Sequence, residues 1–269
     1  MAIQTDGNLM TLCLGKKPAR PEAQLLKLSM YLRAEALPTP PSTFGWDNLV
    51  TSWPMLANDS VGDCAIAGSL HETQLWNAAA KKTIPLDDAC ALKNYASVTG
   101  FTPVDPDGNP WPDGENPTDQ GTDVADLMKY RQQTGLVDAD GGVHKIAAAL
   151  ALEPGNLHQL AAAVWIFGAV GVGFQLPAFA QDDFSAEKVW APQSADSTIE
   201  GGHYVSFVGL GDYWHGVTWG GVAQITDGFV SKYCDEAWVC LSEEMLTNGV
   251  NLDGFAQAQL VDDLKQLAA

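Results

Sequence analysis

The sequence predicts an α+β fold in which a helical first half is followed by a β-rich second half. Between Ala65 and Ala80, apolar residues recur at helical spacing, whereas Val170, Val172 and Phe174 alternate as they do in a strand. A chain of 269 residues can bury one large core or form two lobes that share an interface.

The elements of the first half follow from local patterns. Residues 17 to 36 predict a short surface helix, and the prolines at 38, 40 and 41 make the chain after it extended. The helix over residues 65 to 80 is expected to be central and half-buried. A long surface loop is predicted for residues 102 to 121, which are rich in Pro, Gly, Asp and Asn. Helix signals return at 123 to 134 and 156 to 164.

The second half predicts strands and then a short tail. Strand-like stretches follow at residues 168–174, 203–207, 217–225 and 237–241, and a last helix is expected near residues 260–267. These patterns divide the chain into an N-terminal extension (1–43), a helical lobe (44–150), a β-rich lobe (151–245) and a C-terminal tail (246–269). Residues 44–245 are expected to form one unit.

The charge of the chain excludes several classes of partner. A formal net charge of -19 repels phosphate backbones and anionic lipid headgroups, so neither nucleic acid nor a membrane is expected to bind. The longest uncharged run, residues 160 to 180, is interrupted by Gln175 and Pro177 and does not read as a membrane-spanning helix. The acidity is explained mainly by a solvated surface and to a smaller extent by attraction to basic substrates.

The cysteines favour neither a metal site nor a disulfide framework. None of them forms a CxxC pair, and an odd number suits a reducing compartment; they are Cys13, Cys64, Cys90, Cys234 and Cys240. Residues 105 to 109 resemble the start of a calcium loop, but Pro110 stands where that loop needs glycine. No metal is therefore expected. The N-terminus lacks the charge order of a secretory signal, which predicts a cytoplasmic location.

One cysteine stands in a position suited to nucleophilic chemistry. Cys64 follows a glycine-containing loop and begins a helix, whose dipole favours the thiolate over the thiol. Far downstream, His203 follows two glycines at the start of a strand and is a candidate base. The sequence therefore predicts a cysteine nucleophile paired with a histidine.

These residues resemble the papain-like cysteine peptidase family, over roughly residues 44 to 241. The matching segments are Trp46-Asp47 (in reversed order), Gly62 two residues before the cysteine, the helix after Cys64, Gly121 to Leu127 with its exit at Gly135-Leu136, Gly168 to Phe174, His203 to Leu210, and Val217-Thr218-Trp219-Gly220. Six residues before the cysteine, Asn58 stands in place of the family's oxyanion glutamine; it keeps the carboxamide donor but is one methylene shorter.

The resemblance implies a two-lobed fold, with a helical lobe beside a curved antiparallel sheet, and assigns roles to residues. Cys64 would be the nucleophile, His203 the base and Asn58 the oxyanion donor, while Gly62 and Trp219 would bind substrate. It implies hydrolysis of a peptide or isopeptide bond in a peptide or protein substrate, with no cofactor.

Two departures from the family pattern keep other interpretations open. Val217 matches the asparagine that orients the histidine, and Ala65 replaces the aromatic residue after the cysteine. A bare dyad of Cys64 and His203 is the simplest proposal; a hydroxyl from Thr218 or shielding by Trp219 is the alternative.

Three further hypotheses stand beside the peptidase. His215, expected in a hairpin turn, is a rival base. On a second hypothesis, the protein is a catalytically weak or inactive papain-like scaffold that serves as a structural, assembly or binding protein, for instance in a phage particle. A transferase that uses an amine in place of water would need the same residues.

Overall fold

A computed structural model describes residues 12–23, 26–31, 39–111, 115–193, 198–242 and 244. The α-helices in these ranges are α1 (Leu28–Tyr31), α2 (Cys64–Ala79), α3 (Asp88–Thr99), α4 (Val124–Gln133), α5 (Leu157–Phe167), α6 (Phe179–Ser185) and α7 (Asp227–Tyr233). The strands are β1 (Phe44–Gly45), β2 (Leu136–Val137), β3 (Val143–His144), β4 (Ile146–Leu152), β5 (Val170–Pro177), β6 (Ile199–Leu210), β7 (Trp214–Thr218), β8 (Gly221–Ile225) and β9 (Cys234–Ser242).

Most of the strands form one antiparallel sheet. Their order is β4-β9-β5-β6-β7-β8, with β1 paired to β6, and every pairing in this sheet is antiparallel. The strands β2 and β3 form a separate two-stranded ribbon. Apart from the short β1, the strands of the large sheet lie in the second half of the chain, as predicted.

The large sheet separates two hydrophobic cores. Along β6, Val205 and Phe207 face a core that also contains α5 and α7, whereas Tyr204 and Val208 face a second core around α2, α3 and α4. This alternation follows from the two-residue period of a strand. The predicted α+β fold is confirmed, with the helical part packed on one face of the sheet.

The central helix α2 is buried, whereas the sequence predicted a half-buried helix. Thirteen of its residues are buried, so the helix has little solvent-exposed surface. It approaches β6 closely at Gly68, where a Cβ atom would lie 2.6 Å from the Tyr204 ring. The Ser206 hydroxyl also donates a hydrogen bond of 2.9 Å to the Gly68 carbonyl. The start of α2 is thereby held against the strand that carries His203.

A buried ion pair fixes the same interface from the helical side. Arg131 of α4 donates to Glu72 of α2 at 2.7 Å, and the Tyr204 hydroxyl donates to the other oxygen of Glu72 at 2.9 Å. All three side chains are buried. Removing one member would leave a buried charge without its partner, which typically costs about 3 to 5 kcal/mol.

Four helices begin at residues whose side chains accept a hydrogen bond from a free backbone N–H of the first turn. These residues are Asp87 before α3, Asp123 before α4, Asn156 before α5 and Thr226 before α7. The helices predicted at 123 to 134 and 156 to 164 therefore form with nearly the expected boundaries.

Several expectations need correction. Of the surface helix predicted over residues 17 to 36, the structure describes only the 3-10 turn Pro21–Ala23 and the short α1. His215 lies within β7 and not in a turn. Residue 150, which the sequence placed at the end of the helical lobe, lies inside β4. The helix predicted near residues 260 to 267 lies outside the described residues. In the described part of the chain, no helix combines the length and the apolarity that crossing a membrane requires.

Candidate active site

Cys64 is the first residue of α2, as predicted, and its thiol is enclosed. The residue is 1% exposed, and the backbone N–H groups of Tyr204 and Gly15 lie near its sulfur and favour the thiolate. Burial raises the pKa of the thiol to about 12. The two backbone N–H groups lower this pKa, and the nearby carboxyl of Asp63 raises it further. In this state Cys64 is a neutral thiol.

His203 lies on β6 and is completely buried. Its Nε2 atom is 2.6 Å from the Thr218 hydroxyl, and its ring stacks on the Trp219 indole with centroids 4.1 Å apart and planes at 19°. Burial lowers the pKa of the imidazole to about 3. Among the described residues, its Nδ1 atom has no hydrogen-bond partner.

The predicted thiolate is therefore not present in this state. Because the thiol pKa is raised and the imidazole pKa is lowered, both groups are neutral at pH 7. Burial removes water from both groups, and this desolvation outweighs the helix dipole at Cys64. An ion pair of Cys64 and His203 requires that water or substrate enters the site.

Thr218, and not Val217, contacts the histidine. Successive strand residues point to opposite faces, so Val217 enters the apolar core around α2 while Thr218 faces His203. The bare dyad is thus replaced by a histidine with a hydroxyl partner, one of the two alternatives left open by the sequence. The second alternative, shielding by Trp219, is present as well.

Trp219 is positioned by a tight hairpin turn. Thr218 pairs with Gly221, which leaves Trp219 and Gly220 as the two turn residues of β7 and β8. Both have positive φ values, 44° and 71°, as a primed two-residue turn requires. A tryptophan rarely adopts this conformation, and here its ring is held against His203.

Asn58 lies in the loop before α2 and follows an unusual backbone turn. The two residues before it, Leu56 and Ala57, have positive φ values of 59° and 62°. Asn58 is 2% exposed, and its Nδ2 atom donates a long hydrogen bond of 3.5 Å to the carbonyl of Cys13. Trp219 Nε1 donates to the same carbonyl at 3.4 Å. The proposed oxyanion donor therefore contacts a peptide carbonyl in the present state.

We call the groove between Gly62 and Gly121 on one side and Gly202 on the other the cleft. The side chains of Asp119 and Tyr95 hold Gly62 and Gly121 together. The Gly62 N–H donates to both oxygens of Asp119, at 3.1 and 3.0 Å. The Tyr95 hydroxyl donates to Asp119 at 2.6 Å and accepts from the Gly121 N–H at 2.9 Å. The sequence identified the two glycines but missed Asp119 and Tyr95, which lie outside any recognisable motif.

A segment of the chain itself fills the cleft. We call residues 12–17 the strap. The Thr122 N–H donates to the Gly15 carbonyl at 2.6 Å, and the Lys17 N–H donates to the Thr122 carbonyl at 2.9 Å. On the opposite side, the Lys16 N–H donates to the Gly202 carbonyl at 2.9 Å. The strap thus runs between the two walls, with the backbone of Gly15 beside the Cys64 thiol.

Glycines allow the strap to lie this close to the walls. A Cβ atom at Gly121 or Gly202 would overlap the strap carbonyls of Gly15 or Lys16, and a Cβ atom at Gly62 would lie 2.9 Å from the Leu14 carbonyl. Main-chain contact on both sides is how proteins bind extended peptides independently of side chains. The two walls therefore accommodate the main chain of the strap.

The Lys16 side chain enters a pocket beside the cleft. Its ammonium group is fully buried and donates to Asp235 at 2.9 Å, Glu236 at 3.0 Å and the Lys17 carbonyl at 2.9 Å. Glu236 is 2% exposed, so this carboxylate belongs to the buried wall of the pocket. The strap carried no sequence signal because its contacts are made by backbone atoms and by residues far along the chain.

Two of the other histidines have partners of their own. His215 forms an ion pair with Asp47 at 3.3 Å, and its pKa is raised by this carboxylate. His71 is buried in α2 and donates through Nε2 to the Pro54 carbonyl at 2.8 Å. In the described ranges, no group of three or more His, Cys, Asp or Glu side chains is arranged to hold a metal ion.

Comparison with solved structures identifies the fold. Xylellain, a cysteine protease from Xylella fastidiosa, aligns with a TM-score of 0.59 over 88% of this chain and 99% of its own, at 14% identity. Procathepsin B S9 from Trypanosoma congolense aligns with a TM-score of 0.58 over 86% and 87%, at 12% identity. The Carica candamarcensis cysteine protease CMS1MS2, in complex with E-64, aligns with a TM-score of 0.53 over 75% and 99%, at 12% identity.

No family model matches the sequence, and no curated protein matches it significantly. The chain has the papain-like fold of cysteine proteases, as the sequence motifs predicted. At identities of 12 to 14% the similarity defines the fold, and the activity has to be inferred from the residues of the site.

Proposed function

We propose that this protein is a cysteine peptidase whose cleft is closed by its own strap. The observation that carries the proposal is the strap itself, a peptide segment bonded through its main chain to Thr122 and Gly202, with the backbone of Gly15 beside the Cys64 thiol. A cleft that holds one peptide segment against a thiol has the geometry to hold another. The peptidases of similar fold support this proposal.

The reaction is acyl transfer to water. With the strap displaced and water in the cleft, the Cys64 proton moves to His203, and the thiolate attacks the carbonyl carbon of a peptide or isopeptide bond. Asn58 Nδ2 and the Cys64 backbone N–H stabilise the oxyanion. His203 then donates its proton to the leaving nitrogen as the C–N bond breaks. Water, deprotonated by His203, hydrolyses the thioester and restores Cys64.

The remaining residues position this machinery. Thr218 fixes the ring of His203 through its 2.6 Å contact, and Trp219 covers one face of the ring. Gly62 and Gly121 provide the wall on which substrate main chain lies. We further propose that the five free cysteines suit a reducing compartment.

The strap makes the resting protein latent. It excludes water and substrate from Cys64, and its removal would restore solvent to both catalytic groups. Solvation lowers the thiol pKa and raises the imidazole pKa toward their ordinary values, which brings the ion pair within reach at neutral pH.

A structural or binding protein is the second candidate, for instance one that assembles in a phage particle. The specific observation in its favour is that Cys64 and His203 are both neutral and share no hydrogen bond among those of the described residues. On this alternative the strap is a permanent part of the core.

Hydrolysis by a strap-destabilised variant separates the two candidates. Lys16→Glu places a third carboxylate beside Asp235 and Glu236 and should expel the strap, whereas Lys17→Glu makes the same charge change at an exposed residue. A mixture of fluorogenic peptides should be cleaved by Lys16→Glu and much more slowly by Lys17→Glu. Cleavage should disappear when Cys64→Ala or His203→Ala is added. A folded Lys16→Glu protein without turnover would support the structural candidate.

A further inference from the structure

The pocket that receives Lys16 has the features of a built binding site. Its two carboxylates are each held by a second donor: Gln175 Nε2 donates to Asp235 at 2.6 Å, and Trp238 Nε1 donates to Glu236 at 2.9 Å. The acceptors are therefore already oriented toward the point at which the ammonium group lies. Such preorganisation lowers the cost of binding a cation.

The wall of the pocket leaves space for an aliphatic stem. Gly173 of β5 lies beside the lysine side chain, and a Cβ atom there would lie 2.8 Å from both Cδ and Cε of Lys16 and 2.7 Å from Cγ of Glu236. Any side chain at this position would reduce the room for the stem. The pocket thus combines a glycine beside the aliphatic stem with two carboxylates at the ammonium group.

The charges of the pocket and of its occupant are matched. Burial by itself lowers the pKa of Lys16, but Glu236 and Asp235 together raise it above its usual value, so the lysine stays charged. Burial also raises the pKa of Glu236. An uncharged side chain in place of the ammonium would leave the carboxylates desolvated without a counter-ion.

The pocket belongs to the cleft and not to a separate site. Lys16 follows Gly15, whose N–H contacts the Cys64 sulfur, and its own N–H bonds the carbonyl of Gly202, the residue before His203. A peptide that replaced the strap would present a side chain to this pocket close to the bond under attack.

We propose that Gly173, Asp235 and Glu236 form a specificity subsite for a basic side chain, so that substrates carry lysine or arginine near the cleaved bond. This inference rests on the proposed peptidase function. The formal net charge of -19 acts in the same direction, because it attracts basic peptides to the protein. The strap occupies the pocket through the contact of the Lys16 ammonium with Asp235 and Glu236, and a basic side chain of a substrate would make the same contact.

A binding measurement tests the pocket without requiring catalysis. The full-length Lys16→Glu, Cys64→Ala protein is titrated into a fluorescent peptide with the sequence of residues 12–20, and into the same peptide with alanine in place of the lysine that corresponds to Lys16. Fluorescence anisotropy should show at least about tenfold tighter binding of the lysine peptide, which corresponds to about 1.4 kcal/mol. Equal affinities, or no binding of either peptide, would overturn the proposal.

Matched variants assign the preference to the pocket. Asp235→Asn and Glu236→Gln should each reduce the preference for lysine, whereas Asp212→Asn removes an exposed charge elsewhere and should preserve it. Gly173→Ala should weaken binding of the lysine peptide more than that of the alanine peptide. A lysine preference that survives all three pocket variants would refute the assignment.

A turnover measurement then separates this inference from the proposed function. In the Lys16→Glu protein, kcat/KM should be about tenfold or more higher for peptides with lysine or arginine at the selected position than for those with leucine or glutamate. Efficient cleavage of leucine peptides with no preference for basic residues would leave the peptidase intact and reject the subsite. Selective binding without cleavage would reject the peptidase and keep the pocket.

Discussion

At the scale of single residues, the site depends on which face of a strand each side chain occupies. The motif of Val217, Thr218 and Trp219 suggested Val217 as the match for an orienting asparagine, yet Thr218 Oγ1 lies 2.6 Å from His203 Nε2. A motif match fixes the order of residues, and the strand register decides which of two neighbours faces the site. This is why the sequence could indicate a candidate nucleophile and base but not the residue that contacts the histidine.

Thr218→Val should lower turnover by removing the hydroxyl that orients His203. A neutral hydrogen bond contributes about 1 kcal/mol, so kcat in the Lys16→Glu protein should fall about fivefold with little change in KM. Thr218→Ser, which keeps the hydroxyl, should retain most of the activity. Equal activity of the valine and serine variants would show that Thr218 does not orient the histidine.

Val217→Asn should destabilise the protein without helping catalysis. Val217 is 0% exposed in the core around α2, and a polar amide there would lack hydrogen-bond partners. The free energy of unfolding should fall by about 1 to 3 kcal/mol, as measured by chemical denaturation. An increase in turnover would mean that the asparagine reaches His203 after all.

At the scale of elements, the strap is the feature that sequence patterns did not reveal. The helix start at Cys64, the strands β5 and β6 and the helix α4 were predictable because hydrophobic periodicity and capping residues are local. The strap owes its position to Thr122, Gly202 and Glu236, all more than a hundred residues away along the chain.

Gly202→Ala should expel the strap from the opposite wall. The added methyl group would overlap the Lys16 carbonyl, while the fold of β6 tolerates alanine. Alkylation of Cys64 by iodoacetamide at pH 7 should become at least tenfold faster than in the wild-type protein, because the thiol gains access to water. Gly211→Ala is the control, since its Cβ atom would make only an ordinary contact of 3.7 Å with Thr43. Unchanged protection of Cys64 in a folded Gly202→Ala protein would contradict the role of the strap.

At the scale of the whole molecule, the protein encloses histidines that must stay neutral. Burial lowers the pKa of His71 to about 4 and that of His203 to about 3, from 6.5. Below pH 6.5 the unfolded chain binds protons at these positions and the folded protein does not. Their contribution to stability is therefore lost as the pH falls through this range, and is regained as it rises.

This linkage predicts a pH-dependent effect of His71→Gln. The variant cannot take up the proton in its unfolded state, so it should lose less stability on acidification than the wild-type protein. The difference in free energy of unfolding between the variant and the wild-type protein should change by about 2 kcal/mol between pH 7.5 and pH 4.5. Each pH unit contributes at most about 1.4 kcal/mol per group. Urea denaturation at both pH values measures it, with His158→Gln at an exposed position as the control. Parallel pH profiles for His71→Gln and the wild-type protein would exclude this account of His71.

The central claim is that Cys64 is a catalytic nucleophile made latent by the strap. The most direct measurement is covalent labelling by an epoxide inhibitor of cysteine peptidases, with the modified residue mapped by mass spectrometry in wild-type, Lys16→Glu and Lys17→Glu proteins. The label should appear on Cys64 in Lys16→Glu, be lost when His203→Ala is added, and remain low in the wild-type and Lys17→Glu proteins. Labelling of Cys13 or Cys234 instead, or no labelling of a folded Lys16→Glu protein, would contradict the claim.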